Sequence, residues 1–573
     1  MKTRREFLAD SAVISAAMAL PAYASGGLRS DEKSSTEGRP NIILILADDM
    51  GFSDVGCYGS EIDTPNLNRL AAGGLQFTQF YNNPRCCPSR ASLMTGLYPH
   101  QVGFGLMADD YGRFPYPAYS GDLSSRCLTI AEALRPGGYN TAMCGKWHLT
   151  PAKGVDNHNW PLQRGFEKYF GTIAGASSYF DPATLMQDNT PIHAEPGFYY
   201  TDAIAENAQR YIEDFSLQQK PFFLYTAFTA PHWPLHALES DIKKYKERYS
   251  NGWDELRRQR HQKQLKTGVV LEKWGITPRD PRVPPWELAS YKEWEMHRMA
   301  VYAAMVDRLD QNIGKIVAKV EQLGIADNTL ILFMADNGGN FEEMGDPGAN
   351  APRPIYIPAK TMGGKTVERG NRPEILPGGA DTYQSYGIPW GNCSNTPFRL
   401  YKHYANEGGI STPLIAHWPR MIRPRTSLTA EVGHETDIMA TCLDVAGINY
   451  PATNQAGEAL PALVGKSLLP IFKQGTRPAR GPIFWEHEGN CAMRDGKWKL
   501  VSRFPNYWEL YDMEEDRTEQ HNLSDLHPER VKAMAASYGE WAKFVGVQTW
   551  PLPQMHGQEG AMPSPPYLLH DRE

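Results

Sequence analysis

The sequence predicts an α/β fold with a large central sheet, mostly parallel or mixed, flanked by helices. A smaller antiparallel sheet plus helix follows at the C-terminal end. Three observations carry this reading. Short, continuously apolar runs recur through residues 41–480, as strands buried on both faces require. Helical patterns lie between them. From about Gly481 the runs shorten and turn signals crowd together.

Taken in order, Asn41–Ala47 is the first apolar run, followed at once by Asp48-Asp49. Thr64-Pro65 read as the N-cap and first-turn proline of a helix that Gly73-Gly74 end. Further strands are expected at Tyr139–Met143, before Gly145-Lys146-Trp147-His148, at Phe222–Phe228, before Pro231-His232, and at Thr329–Ala335, before Asp336-Asn337. Ile204, Ala208, Tyr211, Ile212 and Phe215 share one helical face, and Ala300–Leu323 is a longer helix stopped by Gly324. Leu238–Arg282 reads as a charged, solvated helical insertion. Met344–Gly391, rich in Gly and Pro, is a candidate wall of a pocket. Pro482–Glu486, Cys491–Arg494, Lys497–Ser502 and Trp508–Tyr511 are short strands, with a hairpin signal at Asp495-Gly496 and a helix over Pro528–Phe544.

The chain has 573 residues, 41% hydrophobic and 21% charged, a globular composition long enough for more than one domain. Its net charge of −7 disfavours nucleic-acid binding, and an anionic substrate would need cations gathered in one pocket. Residues 1–24 read as an export signal. Thr3-Arg4-Arg5-Glu6-Phe7-Leu8 looks like a twin-arginine motif, Ala12–Leu20 is apolar but too short to span a bilayer, and Ala22-Tyr23-Ala24 is a small-residue cleavage site. An ordinary secretion signal also tolerates Arg-Arg; Phe7 and Leu8 favour the twin-arginine form. A periplasmic or secreted location follows, with no later run long enough for a transmembrane helix. Residues 25–40 are a polar, disordered leader, 41–480 an α/β domain, and 481–573 a C-terminal α+β part with a tail.

The candidate chemistry centres on Cys86-Cys87-Pro88-Ser89-Arg90-Ala91-Ser92-Leu93-Met94-Thr95-Gly96. A helix N-terminus and a nearby arginine both favour an anion. A thiol phosphatase loop would need arginine six residues after its cysteine, where Ser92 stands after Cys86. Vicinal cysteines can equally be half-cystines or small buried hydrophobes. Of the eight cysteines, seven remain without Cys86, so a full set of internal disulfides would leave one over. Asp48, Asp49, Asp336 and Asn337 offer only oxygen ligands, which suit calcium or magnesium better than zinc. Each alone could be a cap or a turn. Yet every candidate group stands just after an expected strand, and ligands of open α/β sheets bind outside the carboxyl ends of the strands.

The pattern Cys-x-Pro-Ser-Arg-Ala-x-Leu-x-Thr-Gly resembles the signature of the type I sulfatases, whose fold is of the alkaline-phosphatase type. Leu46–Asp54 and Ser394–Lys402 resemble segments of arylsulfatases. The resemblance implies that a maturation enzyme converts Cys86 to formylglycine, an aldehyde that works as its hydrate. It implies calcium, with magnesium the alternative, held by Asp48, Asp49, Asp336, Asn337 and residue 86. It further implies that Arg90 holds the hydrate, that Asp336 takes the nucleophile's proton, and that Lys146 and Lys402 neutralise the sulfate. His232 would protonate the leaving oxygen and His148 would serve as base for sulfate release. His236 and His403 are expected outside the pocket. Cys87 fills a variable position. In such chemistry one hydroxyl of the hydrate attacks sulfur and the other drives sulfate out as the aldehyde returns. Expected substrates are aryl sulfates or sulfated sugars, with Trp160, Tyr179, Trp253, Tyr356 and Trp390 as aromatics that could stack on them. The alternatives are a phosphodiesterase or phosphonate hydrolase on the same scaffold, and a non-catalytic binder of sulfated glycans.

Overall fold

The computed structural model describes residues 38–153, 158–345, 353–423, 427–454 and 456–552. The expected export signal, most of the leader and the tail after residue 552 lie outside the described residues.

Strand β1 (Asn41–Ala47) is the middle of a large mixed sheet. Ile43, Ile45 and Ala47 enter one core and Ile42, Leu44 and Leu46 the other, so no position from Ile42 to Ala47 can be polar. Parallel to β1 on either side lie Phe222–Ala227 and Thr329–Ala335. Ala47 is level with Ala335, and Leu46 with Ala227, so these strands end on one line. Helix α1 (Pro65–Ala72) contributes Leu67, Leu70 and Ala71 to the first core. Beyond the Thr329 strand comes Ser411–His417, antiparallel, and then β2 (Leu75–Tyr81). Helix α2 (Cys86–Thr95) follows β2 and is buried at all ten positions. Strand β3 (Asn140–Lys146) completes the centre, parallel to Phe222–Ala227.

Three local expectations need correction. Thr64 is the N-cap residue of α1 and Pro65 opens its first turn, as expected, but the Thr64 side chain makes no cap bond; its Oγ1 accepts from the Gly56 N–H at 2.8 Å. The long helix begins at Lys292 rather than Ala300, because Glu295 is buried and satisfied by Arg298 and the Trp390 indole, which hides the apolar pattern. The charged insertion is not merely solvated. Arg260 is buried, donating to Asp54 at 2.7 Å and Glu61 at 2.8 Å, and Tyr245, Tyr249 and Trp253 join the core. Of the aromatics considered for stacking, Tyr179, Trp253 and Trp390 are likewise core. All eight cysteines are free thiols.

The C-terminal strands Ile483–His487, Asn490–Asp495, Trp498–Ser502 and Glu509–Asp512 form an antiparallel sheet, backed by the helix Pro528–Val545. It is tied to the main sheet by buried charge. Lys499 Nζ lies 2.9 Å from Glu407 and 2.8 Å from Glu519, and Arg517 donates to Glu407 at 3.1 Å. All four side chains are fully buried. The described residues accordingly belong to one compact unit. Removing one member of such a network strands the others. Lys499→Met should lower the free energy of urea unfolding by about 3–5 kcal/mol, measured by a coincident fluorescence and circular-dichroism transition.

Candidate active site

The sheet topology gathers the expected groups on one edge. Asp48-Asp49 follow β1, Asp336-Asn337 follow Thr329–Ala335, and Lys146 is the last residue of β3. His232 follows Phe222–Ala227, and α2 begins five residues past β2. Lys402 precedes a strand instead of following one. It arrives at the same edge because Ser411–His417 runs antiparallel to its neighbours.

These groups meet in one buried network. Lys146 Nζ donates to Asp48 Oδ2 at 2.6 Å, and Lys402 Nζ to Asp49 Oδ2 at 2.7 Å. Arg90 donates through Nε and Nη2 to Asp336 Oδ2 at 3.2 and 2.9 Å, with Asp48 Oδ1 3.4 Å from Nη2. The Asp49 N–H donates to Asp336 Oδ1 at 3.1 Å, and Asn337 Nδ2 to Asp49 Oδ1 at 2.8 Å. His232 Nδ1 meets the Trp233 carbonyl at 2.6 Å, which leaves Nε2 facing Asp49 at 3.4 Å. Gly338 lets the turn after Asn337 press on the Glu407–Ile410 helix: a Cβ there would sit 1.8 Å from the Gly408 carbonyl oxygen.

Cys86 occupies the first turn of α2, whose N-cap, Arg85, makes no side-chain cap. The helix end therefore offers its own positive potential there. A hydrogen bond with Cys87, reinforced by Lys146 and His148, holds the Cys86 thiol well below its usual range despite burial. Burial and the Cys86 neighbour push Cys87 the other way. Cys86 is the one of the two that faces Lys146 and His148. One ring nitrogen of His148 lies within 4.8 Å of both sulfurs. β3 runs past the expected Met143 to Lys146, and His148 lies two residues beyond its end. Its φ is 56°, because the chain turns after Lys146 to bond with Thr172 and Ile173. The ring then lies against Gly175, where a Cβ would come within 2.0 Å of it.

The empty corners of this network indicate a cation. Asp48 Oδ1 and Asn337 Oδ1 are buried and lack hydrogen-bond partners. An amide that gives its N–H to Asp49 and keeps its oxygen free, beside three carboxylates, is a donor set for a hard cation. Without one, burial followed by the Asp48 charge pushes Asp336 up to about 8, against Arg90 and Lys146. Burial also raises Asp48, against Lys146 and Arg90.

Sequence reasoning missed a carboxylate beside Lys402. Glu342 accepts from Arg85 at 2.8 Å and the Trp233 indole at 2.7 Å, and lies 3.8 Å from Lys402. Lys402 and Arg85 outweigh its burial and hold it well below the usual carboxylate range. Tyr356, in the Gly/Pro-rich segment considered as a wall, packs near Trp233 at 6.0 Å between ring centroids. A Glu between two cations has no sequence signal until the fold joins residues 85, 233, 342 and 402. His236 bonds to the Thr382 carbonyl instead of entering the network, as expected of a peripheral histidine.

A sequence profile of the sulfatase family matches residues 40–448, and one for the C-terminal part of N-sulphoglucosamine sulphohydrolase matches residues 398–536. The chain is 32% identical to an uncharacterised sulfatase of Schizosaccharomyces pombe, over 91% of this chain and 96% of that one. It is 32% identical to the arylsulfatase of Klebsiella aerogenes, over 81% of this chain and 99% of the relative. The solved structure of Ps i-CgsB matches with a TM-score of 0.62 at 26% identity, covering 88% of this chain and 93% of that one; it has also been solved in complex with k-i-k-neocarrahexaose. The chain belongs to the sulfatase family. It is a sulfuric ester hydrolase, which sets aside the phosphodiesterase and non-catalytic alternatives.

The raised carboxyls make the cation's contribution to stability depend on pH. In the cation-free fold Asp336 keeps its proton to about 8, whereas the unfolded chain releases it near 3.8. Stability from this group is full below 3.8 and is lost as pH rises toward 8. A bound cation favours the ionised form and removes that loss. The gain in melting temperature on adding calcium to chelator-treated protein should therefore be larger at about pH 8 than at about pH 5. An equal gain at both, by calorimetry, would contradict the assignment.

Proposed function

We propose that this sulfatase cleaves sulfate monoesters of carbohydrates, using formylglycine made from Cys86 by a maturation enzyme and a calcium ion. The observation that carries the reading is the convergence of Cys86, Lys146, His148, His232 and Lys402 with four oxygen-ligand residues at one sheet edge. The carbohydrate part is supported by the N-sulphoglucosamine sulphohydrolase profile, by the oligosaccharide complex of Ps i-CgsB, and by the Trp233–Tyr356 pair beside Glu342. Arg4-Arg5 and the apolar stretch after them support export to the periplasm or beyond by a twin-arginine signal, residues 1–24. We keep 41–480 as the catalytic domain and 481–573 as its C-terminal part.

Oxidised and hydrated, residue 86 supplies two hydroxyls on one carbon, so that sulfate can be taken up and later expelled. Asp48, Asp49, Asp336 and Asn337 would hold the calcium, which supplies Lewis-acid polarisation of sulfate oxygens. The chain's own groups do the rest. Arg90 orients residue 86 and the Asp336 carboxylate together. Asp336 takes the proton of the attacking hydroxyl. Lys146 and Lys402, fully buried, place fixed positive charge where sulfate charge develops. His232 hands a proton from Nε2 to the leaving oxygen, its Nδ1 being tied to the Trp233 carbonyl. Burial lowers free His232 to about 4 against the pull of Asp49. A sulfate ester's negative charge beside Nε2 raises it toward the working range. His148 accepts the proton that accompanies sulfate release.

A panel of sulfated mono- and disaccharides, an aryl sulfate and an aryl phosphate diester tests this reading on modified enzyme. A sugar sulfate should give the highest kcat/KM, and the phosphate diester the lowest. His232→Ala should reduce kcat about 10²–10⁴-fold on sugar sulfates, whose alkoxide leaving group needs a proton, and far less on a nitrophenyl sulfate. Equal losses on both would remove His232 from the acid role; no sugar turnover would sink the carbohydrate assignment.

A further inference from the structure

A second cluster of metal-ligating side chains lies outside the site just described. His487 ends the strand Ile483–His487, and Glu488-Gly489 turn the chain into Asn490–Asp495. His403 follows Lys402 in the main fold. His403 Nδ1 is 3.4 Å from Glu488 Oε2, and His487 Nε2 is 3.9 Å from Glu488 Oε1. A ligand atom of each of the three residues falls within 4.8 Å of the others. His403 is 3% exposed and His487 is wholly buried.

Three features ask for an explanation. Neither ring nitrogen of His487 completes a hydrogen bond, although the ring is fully buried. A buried imidazole with no partner forfeits its hydration for nothing. Glu488 and Gly489 both have positive φ, 49° and 78°, as a two-residue type I′ hairpin requires. Asn, Asp or Gly is usual at that first position; glutamate there costs about 1–2 kcal/mol. His403 also has positive φ, 87°. The hairpin accounts for the Glu488 and Gly489 conformations, and it sets the Glu488 carboxylate beside both rings.

We propose that His403, His487 and Glu488 form a second metal site, for zinc or a similar borderline divalent ion, distinct from the oxygen-ligand site at the sheet edge. Two imidazole nitrogens and one carboxylate form a donor set suited to zinc rather than calcium. Bonds of about 2.0–2.1 Å need ligand atoms about 3.3 Å apart; His403 and Glu488 stand near that spacing at 3.4 Å, and His487 would have to close on Glu488 from 3.9 Å. The Gly105 backbone carbonyl approaches the His487 ring, the kind of partner that steadies a ligating imidazole. Arg85 and Lys402 are nearby charges that oppose a cation, and they are paired with Glu342 and Asp49. Occupied, the site would staple the C-terminal sheet to the segment that carries Lys402.

The test uses the full-length, calcium-loaded enzyme. It is equilibrated with zinc, freed of loose metal by desalting, and assayed for bound zinc and melting temperature; cobalt replaces zinc in a parallel sample read by visible absorption. Wild type should retain one zinc per chain, melt higher with it, and give the d–d bands of imidazole-ligated cobalt. His487→Gln and Glu488→Gln should lose the zinc, the added stability and the bands while keeping calcium. Equal zinc retention in wild type and both variants, or none in wild type, overturns the proposal. If His487→Gln does not fold, Glu488→Gln, at a partly exposed turn, decides alone. None of these readouts depends on the sulfatase reading, so either can fail without the other.

Discussion

Balanced charge in a place without water is the constraint on which the rest of this structure depends. Asp48, Asp49 and Asp336 face Arg90, Lys146 and Lys402 at the end of the sheet, all of them buried. Isolated, any one of these ions would be very costly there. Together they are tolerable, but only in a geometry that pairs them. That requirement fixes the details around them: strands ending level, an antiparallel strand bringing Lys402 to the same edge, and a helix buried on every side that carries Cys86 and Arg90. It also explains why the site suits its reaction. On the proposed mechanism, the same cations that now pair with carboxylates would meet a sulfate once a calcium ion took over those carboxylates.

Much of this could be read from the sequence, for physical reasons. A strand buried on both faces cannot hide, so Asn41–Ala47 and Thr329–Ala335 appear at their true limits. Polar residues directly after such runs are conspicuous, and four of them proved to be neighbours. What stayed illegible depended on contacts distant in sequence. Glu295 and Arg260 look like surface charges until their partners, Arg298 with Trp390 and Asp54 with Glu61, are placed beside them. The left-handed turn at His148 has no marker in Gly-Lys-Trp-His; its cause lies in the neighbouring Thr172 and Ile173 and in the missing side chain of Gly175.

The C-terminal sheet is more than an appendage to the catalytic part. Trp485 donates its indole N–H to the Asn82 carbonyl at 2.9 Å, just upstream of the nucleophile helix. Asn82 in turn donates to the Ala335 carbonyl at 2.8 Å, next to Asp336. A path of direct contacts thus runs from the small sheet to the segments that carry Cys86 and Asp336. The His403–His487–Glu488 cluster lies along the same seam, which gives a metal there something to hold in place.

The central claim is that residue 86 acts as an aldehyde hydrate, and not Cys87 or either cysteine as a thiolate. Mass spectrometry of the peptide containing Asn82–Arg90, from active protein made in a host with the maturation enzyme, tests it most directly. The account predicts an aldehyde in place of the thiol at Cys86, an unchanged thiol at Cys87, and activity proportional to the modified fraction. Full activity in protein whose Cys86 is an intact thiol would contradict it.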